Sequence, residues 1–176
     1  MDTSLTMPWT RYIPHSPTAK QLAFLLLDIP EALYGGAAGG GKSDALLMAA
    51  LQYVSVPSYA ALLLRRTYAD LSLPGALMSR AFEWLIPTDA RWKNSEKTWV
   101  FPSGATLTFG YLDHSGSEYR YQSSEFQFIG FDELTQFRES QYRYLFSRLR
   151  RLADDSVPLR MRSASNPGGI GPVSYT

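Results

Sequence analysis

The chain has 176 residues, enough for one domain with one core, and 45% of them are apolar, an ordinary globular share. Lys and Arg number 17 against 16 Asp and Glu, a net charge of +1, which neither marks nor excludes a nucleic-acid partner because a duplex needs only a local basic patch. There is no cysteine, which excludes disulfides and cysteine-based zinc sites, and the apolar stretch Leu22 to Leu27 falls far short of the roughly 20 residues that cross a bilayer.

Met1-Asp2-Thr3-Ser4 is not a basic leader, so a soluble, intracellular protein is expected. Residues 1–15, rich in Pro, Thr and aromatics, read as an irregular N-terminal arm, and residues 16–176 as the domain. Ser16-Pro17 predicts an N-cap with proline at the first helical position, and the helix should run to about Asp28. Ala32 to Tyr34 is a short apolar strand feeding a run of seven residues, Gly35 to Gly41, and an amphipathic helix should follow from Lys42 to about Val54. Tyr59 to Leu64 is an unbroken apolar run, the mark of a strand buried on both faces of a parallel sheet. Leu71 to Leu85 reads as helical with a break near Pro74-Gly75. Thr98–Phe101 and Ala105–Phe109 alternate around Pro102-Ser103-Gly104 and predict a β-hairpin. Phe126 to Phe131 is a second buried strand, Gln136 to Leu152 a long helix, and Val157 to Ala164 a last strand closed by Asn166-Pro167-Gly168-Gly169. Strands alternating with helices make an α/β fold whose sheet is mostly parallel, and ligands in such folds sit at the carboxyl ends of the strands.

Chemistry concentrates at those ends. Gly36-Ala37-Ala38-Gly39-Gly40-Gly41-Lys42-Ser43 is a complete phosphate-loop pattern after a strand and before a helix. Glycines let the backbone turn its N–H groups inward around phosphates, and the helix presents its partly positive N-terminus to the same anion. Lys42 should reach the β- and γ-phosphates, and the Ser43 hydroxyl should ligate Mg²⁺. Phe128-Ile129-Gly130-Phe131-Asp132-Glu133 is an apolar strand ending in two carboxylates. Asp132 should hold Mg²⁺, directly or through water, and Glu133 should orient and deprotonate a water attacking the γ-phosphate.

Three further stretches narrow the class: Phe131-Asp132-Glu133-Leu134-Thr135-Gln136-Phe137, then Gln141-Tyr142-x-Tyr144-Leu145-Phe146-Ser147-Arg148-Leu149-Arg150, then Arg160-x-Arg162-Ser163-Ala164-Ser165-Asn166-Pro167-Gly168-Gly169. With Leu62-Leu63-Leu64-Arg65-Arg66-Thr67-Tyr68-Ala69-Asp70-Leu71 upstream, this succession resembles the large terminase subunits of tailed phages and prophages over roughly residues 12 to 170. The resemblance implies a RecA-like P-loop domain of the branch with an extra strand between the two nucleotide motifs, hydrolysing ATP with Mg²⁺ to drive double-stranded DNA into a procapsid. It implies an adenine contact for Gln21, which on its own reads equally as an exposed helix glutamine. It implies that Ser165-Asn166 couples the γ-phosphate to DNA movement, although Asn-Pro-Gly is also a strong turn signal. It implies an arginine finger for a neighbouring subunit at Arg120, with Arg65 and Arg66 as rivals and a plain surface arginine as the alternative. Arg138, Arg143, Arg148, Arg150 and Arg151 would face DNA phosphates or another subunit, or form a solvated basic face.

The implied partners are double-stranded DNA, the portal protein, the small terminase subunit and copies of the same chain in a ring on the procapsid in the host cytoplasm, with no membrane and a monomer possible in isolation. One departure stands out. After Asn166-Pro167-Gly168-Gly169-Ile170-Gly171 the family continues with His and Trp, whereas this chain reads Pro172-Val173-Ser174-Tyr175-Thr176. The family's C-terminal nuclease finds no carboxylate cluster here, so no DNA cleavage is expected of this chain. A helicase or recombinase of the same fold, or a nucleotide-binding remnant without turnover, are the other readings.

Overall fold

A computed structural model describes residues 8–39, 41–153 and 155–166. Thr18, not Ser16, caps the first helix. Its hydroxyl accepts from Gln21 N at 3.3 Å and Gln21 Oε1 accepts from Thr18 N at 2.9 Å, a reciprocal capping box that starts α1 at Ala19–Leu25. The helix stops before Asp28, and the chain turns through Pro30 into β1 (Glu31–Gly35) with the Leu27, Ile29 and Pro30 carbonyls held by the Arg162 side chain. β1 enters the glycine loop and α2 (Lys42–Leu51) leaves it, ending three residues before the predicted Val54.

β2 (Ala60–Arg65) is the doubly buried strand that the apolar run predicts. Helix follows in two pieces, α3 (Tyr68–Ser72) and α4 (Leu77–Leu85), parted at Pro74-Gly75, where Gly75 takes a φ of 76°. β3 (Arg91–Lys93) escapes a sequence reading because three residues are too few to show alternation. The predicted hairpin is β4 (Thr98–Val100) and β5 (Thr106–Tyr111). A 3-10 turn over Ser117–Tyr121 leads to β6 (Phe128–Asp132).

The long helix expected from Gln136 to Leu152 is not formed. A 3-10 turn (Leu134–Gln136) comes first, then α5 (Glu139–Phe146). Arg138, extended at ψ 147°, separates the two. At the far end Phe126 N donates to Arg148 O and Arg150 N to Phe126 O, so this stretch pairs as a strand-like bridge rather than continuing the helix. The last strand is β7 (Arg160–Ser165), three residues later than its predicted start.

The sheet order is β1-β7-β6-β2-β5-β4-β3, parallel from β1 to β5 and antiparallel from β5 to β3. The extra strand between the two nucleotide motifs is β7, lying between β1 and β6. Both faces of the sheet are covered. On β2, Ala61 and Leu63 join a cluster with α2 and α4, while Leu62 and Leu64 join a second with Phe131, Phe137 and Leu145. Gly130 lets α2 approach: a Cβ there would lie 2.6 Å from Leu63 Cδ2 and 3.2 Å from Leu46 Cδ1. The arm is irregular but not loose over residues 8–15, since Tyr12 and Ile13 are buried and Thr10 Oγ1 donates to Leu51 O at 3.0 Å. No helix among the described residues is long and apolar enough to cross a membrane.

β7 is an unusual central strand because it buries two arginines. Arg162 donates to Leu27 O at 2.9 Å, Ile29 O at 3.0 Å and Pro30 O at 3.3 Å, tying the α1–β1 turn to the sheet centre. Burial and the neighbouring Arg160 push its pKa down to about 10, which still leaves it charged at neutral pH. Replacing it removes the side-chain donor from three part-buried turn carbonyls at once. Arg162→Met is therefore expected to lower unfolding free energy by about 3 kcal/mol in urea titrations; a loss within ~0.5 kcal/mol of zero would show that the turn holds without it.

Candidate functional site

Three adjacent parallel strands end side by side at one edge of the sheet. Gly35 on β1 pairs with Ser165 on β7, and Ala164 on β7 pairs with Asp132 on β6. The glycine loop, Ser165-Asn166 and the Asp132-Glu133 pair are thereby brought together, although the acidic pair and Ser165 lie about 90 and about 130 residues beyond the loop in sequence.

The loop has the backbone its glycines were expected to provide. Gly39 and Gly41 take φ values of 80° and 72°, and Gly41 forms the N-cap of α2 with no side chain capping it. The first N–H groups of a ten-residue helix are thus presented without a side-chain acceptor, which suits an incoming anion. Lys42, buried, donates to Gly36 O at 3.1 Å and Ala37 O at 2.7 Å, so its ammonium is held at the loop it is expected to serve. Ala38 lies in the turn of the loop and Ser43 in the first turn of α2, while Gly40 falls outside the described residues.

Gln21 is placed beside the loop but is already engaged. Its Nε2 donates to Gly41 O at 3.0 Å while its Oε1 completes the α1 capping box. A Cβ on Gly41 would lie 2.6 Å from that Nε2, so α1 packs directly on the loop. The sequence reading passed over Lys20, whose Nζ donates to Gly35 O at 2.6 Å and sits 4.7 Å from the Tyr34 ring centroid. The only sequence signal for it is its place next to Gln21.

Asp132 is almost wholly buried and accepts from Arg65 Nη1 at 2.9 Å. Among the described residues no hydrogen bond joins it to Ser43. Glu133 is less buried and takes a left-handed backbone, φ 56° and ψ 58°, which is strained for a residue with a side chain. That bend breaks the chain out of β6 and turns it into the 3-10 turn. Ser165 Oγ donates to Thr135 Oγ1 at 3.3 Å, connecting the end of β7 to the same turn. Asn166 Oδ1 is shielded from solvent and meets no donor among the described residues. An orphaned acceptor, an uncapped helix N-terminus and a lysine held by loop carbonyls fit a polyphosphate better than an apolar ligand.

The arginines separate clearly. Arg65 belongs to the acidic pair, Arg66 donates to Gln136 O at 3.0 Å, and Arg120 is exposed, donating to Tyr111 O at 3.2 Å with its guanidinium 4.7 Å from the Tyr111 ring centroid. On α5 and beyond, Arg143 pairs with Glu139 at 2.6 Å, Arg151 with Asp155 at 2.5 Å, and Arg148 donates to Gln122 O at 2.6 Å, so much of this basic face is spent on the chain itself. Among the described residues no three His, Asp or Glu side chains cluster closely enough to hold a metal ion by themselves.

Burial raises the Asp132 carboxyl above its ordinary value, Arg65 opposes the shift, and the Glu133 charge adds to it. The protonated form is therefore favoured by folding. Its stabilisation is complete below the unfolded value near 3.8 and is lost as pH rises through the folded value. Urea midpoints measured in a chelator from pH 4 upward should fall for the wild-type chain and fall less for Asp132→Asn. Parallel curves for the two would contradict the assignment.

A family model described as the N-terminal part of the terminase large subunit, T4likevirus type, matches residues 33–164. No curated protein sequence matches the chain. Among solved structures, the large terminase of a thermophilic bacteriophage is 17% identical with a TM-score of 0.64, over 86% of this chain and 40% of its own. The bacteriophage HK97 large terminase is 11% identical with a TM-score of 0.65, over 86% and 33%. The large terminase ATPase domain of Thermus phage P74-26 is 15% identical with a TM-score of 0.62, over 90% and 68%. These likenesses show a shared RecA-like fold, and the chain spans less than half the length of the first two proteins. Matched by the family model over most of its length, and carrying the glycine loop and the acidic pair on the two parallel strands that flank β7, the chain belongs to the T4-type large terminase N-terminal family.

Proposed function

We propose that this chain hydrolyses ATP and that the hydrolysis powers movement of double-stranded viral DNA into a procapsid. The observation that carries the proposal is the meeting of Lys42, Asp132-Glu133 and Ser165-Asn166 at the carboxyl ends of three adjoining strands.

The division of labour follows from chemistry. The loop N–H groups of residues 36–43 and the Lys42 ammonium stabilise negative charge on the β- and γ-phosphates. Mg²⁺, when bound, would be held by Ser43 and Asp132 and would neutralise further phosphate charge. Glu133 accepts a proton from water as the water oxygen bonds to the γ-phosphorus and the bond to the bridging oxygen breaks, giving ADP and phosphate. Its left-handed backbone turns it away from the β6 direction, where a carboxylate could otherwise only follow Asp132 along the strand. Ser165 and Asn166 contact the γ-phosphate side, and the Ser165–Thr135 bond carries a change there to the turn that begins at Glu133. Gln21 shapes the loop through Gly41, and its contact with adenine requires the amide to release Gly41 O or the α1 cap.

Arg120 serves a neighbouring subunit. It follows β5, four strands from β1 along the same edge, and four strand spacings amount to roughly 19 Å. That is beyond the reach of one side chain to its own loop, so its exposed guanidinium suits a phosphate bound by another copy. A ring of copies docked on a portal, assisted by a small terminase subunit in the host cytoplasm, is the assembly this implies, and contact with the DNA backbone rather than its bases suits a motor that must accept any sequence.

Steady-state ATPase rates against protein concentration test the proposal. The rate per chain should rise with concentration. Glu133→Gln should lower it by about 10²- to 10⁴-fold while leaving ATP binding intact, and Arg120→Ala should remove the concentration dependence. ATP binding with no turnover at any concentration would refute hydrolysis by this chain.

A further inference from the structure

β2 and β6 lie side by side, and their register sets Leu64 beside Phe131. The next residue on each strand is charged: Arg65 on β2 and Asp132 on β6. Arg65 Nη1 donates to Asp132 Oδ2 at 2.9 Å, and the carboxylate side chain is only 3% exposed. A carboxylate so deeply buried needs a cation beside it, and among the described residues Arg65 supplies it.

Arg65 is itself poorly satisfied. It meets the carboxylate through one nitrogen, not the two-pronged geometry that a guanidinium favours, and its Nε is buried with no hydrogen-bond partner. A buried donor left unpaired is costly, and a group held in that condition gains from a second acceptor in another state of the protein. Arg65 also stands at the same strand edge as the phosphate loop, two strands from β7.

We propose that Arg65 is the resident counter-cation of Asp132 in the metal-free protein, and that it yields the carboxylate to a divalent cation and turns to an anionic phosphate oxygen. The inference rests on the reading of Asp132 as a metal-holding residue. Its consequence is a loading rule. A metal ion alone must displace a guanidinium that then has no partner, whereas a metal ion arriving with a polyphosphate supplies one. The site therefore takes metal and nucleotide together and resists metal alone.

Mn²⁺ is the probe, followed by the loss of the free-ion paramagnetic resonance signal, for wild type and Arg65→Gln, each with and without ADP. Wild type should bind Mn²⁺ weakly alone and more tightly with ADP. Arg65→Gln should bind Mn²⁺ alone on the order of tenfold more tightly than wild type, and ADP should add less. Equal or weaker Mn²⁺ binding by Arg65→Gln would overturn the proposal. Should that variant not fold, the wild-type Arg65 Nε–Hε resonance, assigned with Arg65→Lys, decides the matter. It should shift on addition of Mg²⁺ and ADP together, and a resonance unmoved at saturation overturns the exchange. Calorimetry of ADP in the presence of Mg²⁺ separates the two readings. Failure of ADP to bind would sink the nucleotide function, while the comparison with Mn²⁺ alone would still judge Arg65.

Discussion

The architecture depends on the insertion of β7 between β1 and β6. Without it the phosphate loop and the acidic pair would belong to strands that do not share a site edge. With it, β1 and β6 are two strand spacings apart, roughly 10 Å, a gap that a triphosphate and its metal can span. The strand is not held there by apolar side chains alone. Arg162 reaches the carbonyls of the α1–β1 turn from inside the sheet, and Arg160 donates to Gln52 Oε1 at 3.2 Å beyond α2. One strand thus fixes the turn before the loop, the segment that follows the helix after it, and the edge where Ser165 and Asn166 stand.

The energetics divide along the same line. Away from the site edge both faces of the sheet are covered by aliphatic and aromatic clusters, and Gly130 allows α2 to lie close against β6, although Arg80 Nε, Trp99 Nε1 and Arg160 Nε are buried without partners among the described residues. At the edge, the unfavourable terms accumulate. Asp132 is buried against its preference for water, Glu133 has a left-handed backbone, Arg65 Nε and Asn166 Oδ1 lack partners, and α2 begins without a side-chain cap. The deficits at this edge are ones that a polyphosphate or a cation would relieve.

Much of this was legible in the sequence, and the failures have specific causes. The buried strands, the phosphate loop, the hairpin and the break at Pro74-Gly75 all follow from short-range patterns that tertiary contacts reinforce. The first cap was misplaced because Ser16-Pro17 and Thr18 both satisfy local capping rules, and only Gln21 closing the box on Thr18 chooses between them. The helix expected from Gln136 to Leu152 failed at both ends: extended Arg138 delays its start to Glu139, and the bridge to Phe126 captures the chain near Leu149. Of the candidate site residues, Lys42, Ser43, Asp132 and Glu133 stand out in the sequence because their motifs are contiguous. Lys20 and the Arg65–Asp132 pair were not, because each depends on which elements become neighbours.

The sequence by itself determined the chemistry available to this protein: a glycine loop with its lysine and hydroxyl, two carboxylates after an apolar strand, and the alternation that makes a parallel sheet. These are local because backbone freedom, helix polarity and strand burial are written in adjacent residues. The tertiary structure decided how that chemistry is arranged. It chose β7 as the strand between the two motifs, gave Arg65 to Asp132 rather than to solvent, spent Gln21 on the loop and α1, and set Arg120 four strands from its own phosphate loop. Strand order and register arise from burying both faces of one sheet at once, a condition on the whole chain that no single segment can express.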